Sequence, residues 1–134
     1  MKNPNSIPNV PISWGELIDK ITILEIKSKR IVSEISNNNI NKELALLTNI
    51  LNSYFNIADI EIYKIKLKDI NEKLWDVEDK IRKHEAEKSF NNLFIELARS
   101  VYILNDQRAN IKKIINNSFS SEIVEEKSYQ NFQL

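Results

Sequence analysis

The chain has 134 residues, which is the usual size of one domain and enough to bury one core without disulfide or metal staples. Lys and Arg together number 19, as do Asp and Glu, so the formal net charge is zero and no bulk field draws the chain towards nucleic acid or an anionic membrane. Cysteine is absent, which excludes disulfides, thiol catalysis and thiolate metal sites. We therefore predict one cytoplasmic domain that binds neither nucleic acid nor membrane.

Glycine and proline are distributed in a way that favours helices over almost the whole chain. Gly15 is the single glycine, so phosphate-cradling loops and dinucleotide fingerprints, which need several glycines, cannot be built. The three prolines, at positions 4, 8 and 11, all precede the first periodic segment. These features predict an extended N-terminal arm over residues 1–12, a helical domain over 13–117 and a short C-terminal tail over 118–134.

The first predicted helix starts at a capping box. Ser13 and Glu16 have the S-x-x-E spacing, in which the hydroxyl accepts a hydrogen bond from a backbone N–H of the first turn. Apolar residues then recur at helical spacing as far as Ile35, and the polar run SNNN at 36–39 predicts the end of this helix. A second helix is expected from about Asn41. Its predicted inner face holds Leu44, Leu47, Leu51 and Tyr54.

Two longer helices follow, each with apolar residues at alternating spacings of three and four, which is the pattern of knobs-into-holes packing. The third runs from Ile60 to His84, and its first part, IEIYKIKLK, also alternates as a strand would. We favour a helix because the heptad pattern continues unbroken. The fourth runs from Phe90 to Ile115, with Ser89 as its predicted cap. The sequence thus predicts an all-α fold, a four-helix antiparallel bundle.

The third helix carries an acidic stripe. Its members, at spacings of three and four, are Asp69, Glu72, Asp76 and Asp79. Acids on one helical face can hold Mg²⁺ through oxygen ligands and leave positions for a substrate phosphate. Basic residues four positions later, in the order that favours ion pairs, indicate instead a solvated face of salt bridges. We therefore predict no metal site and no cofactor.

Polar residues on apolar faces are the candidates for a binding site. Arg108 interrupts the apolar seam of the fourth helix between Leu104 and Ile111. A buried guanidinium must be paired with a carboxylate or meet an anionic ligand, because an unpaired buried charge is costly. Both interpretations stay open at this point. The candidate carboxylates for an internal pair are Glu25, Glu78 and Asp79. The other candidate ligand-binding residues are Asp19, Trp75, Arg82, Arg99 and Asp106.

A second apolar strip lies on the first helix, opposite its main core face. It consists of Ile23 and Ile26. Such a strip is either a contact between two subunits or a surface covered by the C-terminal tail. We favour self-association, which predicts a homodimer formed through these two side chains.

Three stretches together resemble a known family. They are ISWGELIDKITILEIKSKRI at 12–31, NEKLWDVEDKIR at 71–82 and FIELARSVYILNDQRANIKKIIN at 94–116, followed by EEKSY at 125–129. The chain resembles a family of short bacterial and phage-associated helical proteins of unknown function, over about residues 10–129. The resemblance implies the extent of the domain and brings no activity with it.

Two helical enzyme families share smaller features with the chain. The first helix is similar to that of the all-α chorismate mutases, in which an Ile-Asp pair precedes an Arg that grips substrate carboxylates; Ile18 and Asp19 match, and Arg30 comes about two residues too early. The all-α nucleotide pyrophosphohydrolases bind Mg²⁺ through an E-E-x-x-E cluster and a later acidic pair. Here the cluster itself is missing. The acids that loosely imitate it are Glu72, Asp76, Asp79 and Asp106.

Three functions therefore remain open. A binding or assembly module is favoured, because no catalytic motif is present. The alternatives are a magnesium-dependent enzyme like the nucleotide pyrophosphohydrolases, and a small-anion-binding enzyme or sensor loosely similar to chorismate mutase. A small anionic ligand is the partner that the third function implies.

Overall fold

The computed structural model describes residues 6–132, and over this range the chain forms four α-helices and no strand. Their bounds are Trp14–Arg30 (α1), Glu34–Tyr54 (α2), Ile57–Ala86 (α3) and Asn92–Ser118 (α4). The predicted all-α fold with four helices is confirmed, and residues 60–68 form helix rather than strand. The antiparallel order and the domain bounds stay predictions. Residues 1–5 of the predicted arm and residues 133 and 134 of the predicted tail lie outside the described residues.

Helix α1 is central to the packing. It contacts each of the other three helices, and α3 and α4 also pack along each other. The buried core holds Leu17, Ile18, Ile21, Leu51, Ile60, Leu67 and Ile115. Trp14 packs at the edge of this core, with its ring edge-on to Phe55 at a centroid separation of 4.8 Å. Within residues 6–132 no helix is long and apolar enough to cross a membrane.

The start of α1 lies where the capping motif predicts it. The Ser13 hydroxyl accepts a hydrogen bond from the backbone N–H of Glu16 at 3.1 Å. The carboxylate of Glu16 turns instead to α4, where it accepts from Lys112 at 2.6 Å. At Gly15 the backbones come so close that a Cβ atom would lie 2.6 Å from the carbonyl oxygen of Lys112. The single glycine of the chain is therefore required by the close approach of α1 to α4.

The boundary between α1 and α2 differs from the prediction. Because α1 ends at Arg30 and α2 begins at Glu34, the polar run 36–39 lies inside α2 rather than between the helices. The apolar periodicity places Val32 and Ile35 on the inner face of one long first helix, whereas in the structure both are exposed, at 94% and 77%.

Local hydrogen bonds explain this early break. The Ser33 hydroxyl accepts from the backbone N–H of Ser36 at 3.4 Å and caps α2. The side-chain amide of Asn37 donates to the carbonyl of Ile31 at 2.6 Å. Polar side chains thus satisfy the backbone groups that a continuous helix would have used, and this outweighs the apolar periodicity.

The cap of α4 also differs from the prediction. The Asn91 side chain accepts from the backbone N–H of Phe94 at 3.1 Å, so Asn91 caps this helix rather than Ser89. Ser89 instead ends α3, because its N–H donates to the carbonyl of His84 at 2.9 Å and its carbonyl accepts from the ring Nδ1 of His84 at 2.8 Å. The single histidine therefore has a structural role at a helix end.

The predicted subunit contact on α1 is covered within the chain. Ile26 is only 3% exposed, and Ile23 is half-buried. The prediction of a dimer through these residues assumed that only one face of α1 is buried. In the structure the other three helices cover α1 on several sides. Ile26 is consequently not accessible to a second subunit.

Candidate functional site

A network of buried polar side chains joins α1 to α3. Asp19 of α1 is 0% exposed, and its carboxylate accepts a hydrogen bond from the side-chain amide of Asn71 at 2.8 Å. The same amide donates to the hydroxyl of Thr22 at 2.9 Å, and that hydroxyl donates to the backbone carbonyl of Asp19 at 2.8 Å. Thr22 and Asn71 thus hold the buried carboxylate in one orientation.

Arg108 of α4 completes this network. Its Nε donates to both carboxylate oxygens of Asp19, at 3.0 and 3.1 Å, and its Nη2 donates to Oδ2. Because Asp19 takes the Nε–Nη2 edge, the Nη1 N–H groups have no partner among residues 6–132. The side chain is 28% exposed. The hydrogen bond to Asp19, opposed by burial and helped by the charges of Glu16 and Glu125, raises the pKa of Arg108.

Lys112, one turn after Arg108, is the second cation of the site. Its Nζ donates to Glu16 at 2.6 Å and to Glu125 at 2.7 Å, and it lies 3.9 Å from Asp19. Burial by itself lowers the pKa of Lys112, but the hydrogen bonds to Glu125 and Glu16 and the nearby charge of Asp19 outweigh it, so the pKa is raised. The side chain is 9% exposed and stays protonated at neutral pH.

A cleft separates α4 from residues 119–132, which we call the C-terminal segment. This C-terminal cleft has a volume of about 740 Å³, within the roughly 300–1,000 Å³ of small-molecule sites. The wall formed by α4 includes Tyr102, Asn105, Asp106, Arg108 and Lys112. The wall formed by the C-terminal segment includes Glu125, Lys127, Tyr129 and Phe132.

Aromatic rings add apolar surface to the C-terminal cleft. Tyr102 of α4 and Phe132 of the C-terminal segment pack edge-on, with centroids 5.1 Å apart. The ring of Tyr129 lies 5.4 Å from the ammonium of Lys127. The cleft therefore combines a charged region around Arg108 with aromatic surface, a combination that fits a small molecule with an anionic group on an apolar body.

A second cleft, which we call the α3 cleft, lies between α1, α3 and α4 and has a volume of about 510 Å³. Arg108 and Asn105 line both clefts. The structure thus brings Arg108 together with four other predicted ligand-binding residues. These are Trp75, Glu78, Asp79 and Arg82.

Three other predicted site residues have different positions. Asp106 lines the C-terminal cleft and lies 3.7 Å from the ammonium of Lys127. Glu25 pairs elsewhere, with Lys64 at 2.5 Å. Arg99 is exposed on α4 and lines neither cleft.

The predicted partners of Arg108 are wrong. Arg108 pairs with Asp19 and not with Glu25, Glu78 or Asp79. The reason is the approach of α1 to α4 at Gly15, since Asp19 follows Gly15 by one turn and lies on the same helical face.

Sequence reasoning also missed several members of the site. They are Glu16, Thr22, Asn71, Lys112 and Glu125. The available signal was a polar stripe within α4, in which Arg108, Lys112 and Asn116 recur every four residues. The last of these accepts a hydrogen bond from the backbone N–H of Gly15 at 2.7 Å.

The acidic stripe of α3 forms surface ion pairs. Asp69 pairs with Lys73 at 3.1 Å, as its spacing predicts. Asp76 pairs with Arg30 of α1 at 2.6 Å, and the guanidinium of Arg30 also lies 5.7 Å from the Trp75 ring. Within residues 6–132, no three His, Asp or Glu side chains gather as a metal centre requires.

The fold and the two clefts define an all-helical protein with a buried Asp–Arg pair at a ligand-sized opening. Residues 8–133 match the model of a family described as a family of unknown function, DUF6165, and the chain belongs to that family. The predicted resemblance to a family of unknown function is thereby confirmed. Neither a curated protein nor a solved structure matches the chain.

Proposed function

We propose that this protein is a binding module for a small molecule that carries a carboxylate or phosphate group, held in the C-terminal cleft. The supporting observation is the hydrogen bonding of the Arg108 guanidinium. Buried Asp19 takes one edge of its guanidinium, while the Nη1 groups have no partner within residues 6–132 and lie beside a cleft of ligand size. A guanidinium fixed in this way is pre-organised for planar, two-point recognition of an anion.

The rest of the cleft supports a ligand with an apolar or aromatic body. Tyr102, Tyr129 and Phe132 contribute ring surface on both walls. Rings of this kind bury the apolar part of a ligand, while a few placed polar groups determine its orientation. The proposed ligand is therefore an aromatic or apolar molecule with one anionic group.

The two enzyme interpretations receive less support. Two acids of the α3 stripe, Asp69 and Asp76, pair with Lys73 and Arg30 at the surface, which disfavours a magnesium-dependent pyrophosphohydrolase. The arrangement of the chorismate mutases needs Arg30 at an anion site, whereas Arg30 pairs with Asp76 outside the C-terminal cleft.

The test is a calorimetric titration with aromatic carboxylates and aryl phosphates, represented by benzoate and phenyl phosphate. We expect saturable binding, and a ligand at about 100 times its Kd should stabilise the protein by about 2.7 kcal/mol in thermal unfolding. Arg108→Lys keeps a positive charge for Asp19 but loses the planar fork, so it should weaken binding about tenfold or more. Arg99→Lys, exposed on the same helix, is the matched control and should leave the Kd unchanged.

Two further variants locate the ligand. Tyr102→Ala changes only the C-terminal cleft and should weaken binding, whereas Trp75→Ala changes only the α3 cleft and should not. The reverse result would move the site to the α3 cleft. Absence of binding by both probes, or binding that Arg108→Lys leaves unchanged, would refute the proposed function.

A further inference from the structure

We infer that Glu125 of the C-terminal segment occupies the anion subsite of the C-terminal cleft, and that a ligand carboxylate takes its place on Lys112. The inference rests on the proposed function and adds three things to it. Lys112 is a second anion-binding residue, and the ligand is a carboxylate rather than a phosphate. The C-terminal segment competes with that ligand for Lys112 through Glu125.

The surroundings of Lys112 distinguish its two carboxylate partners. Glu16 belongs to the first turn of α1, whose start is held by the Ser13 cap and by the close approach to α4 at Gly15. Glu125 comes from a segment without regular structure, and its side chain is 54% exposed. Glu125 is therefore the partner that can leave, and its departure opens one donor of a nearly buried ammonium to the cleft.

Around Glu125, the C-terminal segment is held by ion pairs that are weak enough for such an exchange, whereas its end packs through Phe132 on Tyr102. Besides the Lys112–Glu125 pair, its ion pairs are Lys113–Glu126 at 3.1 Å and Lys127–Asp106 at 3.7 Å. Each joins side chains that are between one third and about two thirds exposed, and exposed pairs contribute little to stability. Segments held in this way open locally without unfolding of the domain.

The charge around the site favours exchange over simple addition of a ligand. Four cations and four carboxylates line the cleft or bond to its lining residues, so the local charge is zero. The cations are Lys20, Arg108, Lys112 and Lys127, and the carboxylates are Glu16, Asp19, Asp106 and Glu125. An anion that entered beside Glu125 would add like charge at short range, which is unfavourable. An anion that replaces Glu125 on Lys112 leaves the local charge unchanged.

The same charge balance favours a carboxylate over a phosphate. A carboxylate reproduces both the charge and the planar oxygens that Glu125 now presents to the ammonium at 2.7 Å. A phosphate monoester carries close to two negative charges at neutral pH and would make the site more negative than it is with Glu125. Arg108, four residues before Lys112, lies on the same face of α4 and can share the carboxylate through its free Nη1 groups.

The test compares Glu125→Gln with Glu126→Gln, a matched control whose partner Lys113 does not line the C-terminal cleft. With benzoate as the probe, Glu125→Gln should lower the Kd about tenfold, and Glu126→Gln should change it less than twofold.

The outcomes separate this inference from the proposed function. If Arg108→Lys weakens benzoate binding while Glu125→Gln leaves it unchanged or weakens it, the binding function stands and the inference is wrong. If benzoate binds neither the wild type nor Glu125→Gln, the inference is wrong, and the proposed function fails with it only when phenyl phosphate does not bind either. If Glu125→Gln strengthens phenyl phosphate binding as much as benzoate binding, the assignment of the ligand as a carboxylate is overturned.

Discussion

The carboxylate of Asp19 is buried away from water, and hydrogen bonds from its neighbours offset the free-energy cost of that burial. It is 0% exposed and accepts hydrogen bonds from Asn71 and Arg108, which come from two other helices. A buried charge offsets its desolvation only when its hydrogen-bonding capacity is filled in this way. The pair therefore satisfies the buried carboxylate, and it also positions Arg108 at the cleft.

The contribution of this pair to stability can be measured with a double-mutant cycle. Arg108→Met keeps most of the side-chain volume but leaves the Asp19 carboxylate without its main partner, so the free energy of unfolding should fall by about 3 kcal/mol. Asp19→Asn in the same background removes the buried charge and should restore much of the loss. Urea denaturation provides the measurement. Additive effects of the two substitutions would show that the side chains are not coupled.

At the scale of helices, the contact between α1 and α4 determines which side chains meet. The backbone N–H of Gly15 donates to the side chain of Asn116 at 2.7 Å, and the carbonyl of Lys112 lies against the same position. One turn further along α1, this approach places Asp19 beside Arg108. A glycine is needed because the neighbouring atom belongs to backbone, which cannot turn aside.

Gly15→Ala tests this contact. A methyl group at this position would lie 2.6 Å from the Lys112 carbonyl oxygen, so α1 must move away from α4. We expect the free energy of unfolding to fall by about 1–3 kcal/mol, although alanine favours helix by about 1 kcal/mol. The control is the reverse substitution, Ala98→Gly, on the exposed part of α4. It should lower the free energy of unfolding by about 1 kcal/mol through helix propensity alone. A stabilising Gly15→Ala would contradict the close approach.

The packing is uneven across the whole molecule. Helix α1 contacts every other helix, whereas α2 packs chiefly against α1. Several large apolar side chains of α2 are consequently exposed. They include Leu46 at 41%, Ile50 at 46% and Tyr54 at 69%. The predicted position of Tyr54 on the inner face of this helix is therefore wrong. A helix with one neighbour gains little tertiary stabilisation, and in proteins most of the stability of a helix comes from such packing.

Native-state hydrogen exchange should therefore report local opening of α2. Amides of α2 are expected to exchange faster than those of residues 17–26 in α1, because only Ile40 and Leu51 of α2 are buried, whereas most of residues 17–26 are. Mass spectrometry of peptic peptides gives the comparison within one sample. Equal protection of α1 and α2 would show that the two helices open only together.

Local patterns predicted the features that depend on neighbours three or four residues apart. The cap at Ser13 and the buried face of α3, with Ile60 and Leu67, are of this kind. The break before α2 is also local, but two signals in the sequence oppose each other there. The apolar periodicity favours a continuous helix, whereas Ser33 and Asn37 form hydrogen bonds with the backbone that end it.

What the sequence by itself determined is the all-α class, the buried face of α3 and the anomaly of Arg108 within an apolar seam, because each is a property of spacing within one helix. Only the tertiary structure decided that Asp19 is its partner, since the pairing depends on which helices approach each other and how closely. The same holds for Glu125 on Lys112. The spacing of residues within α4 does not indicate where the C-terminal segment lies, because that segment has no periodic pattern. Its position depends on contacts of charges and rings that form only in the folded chain.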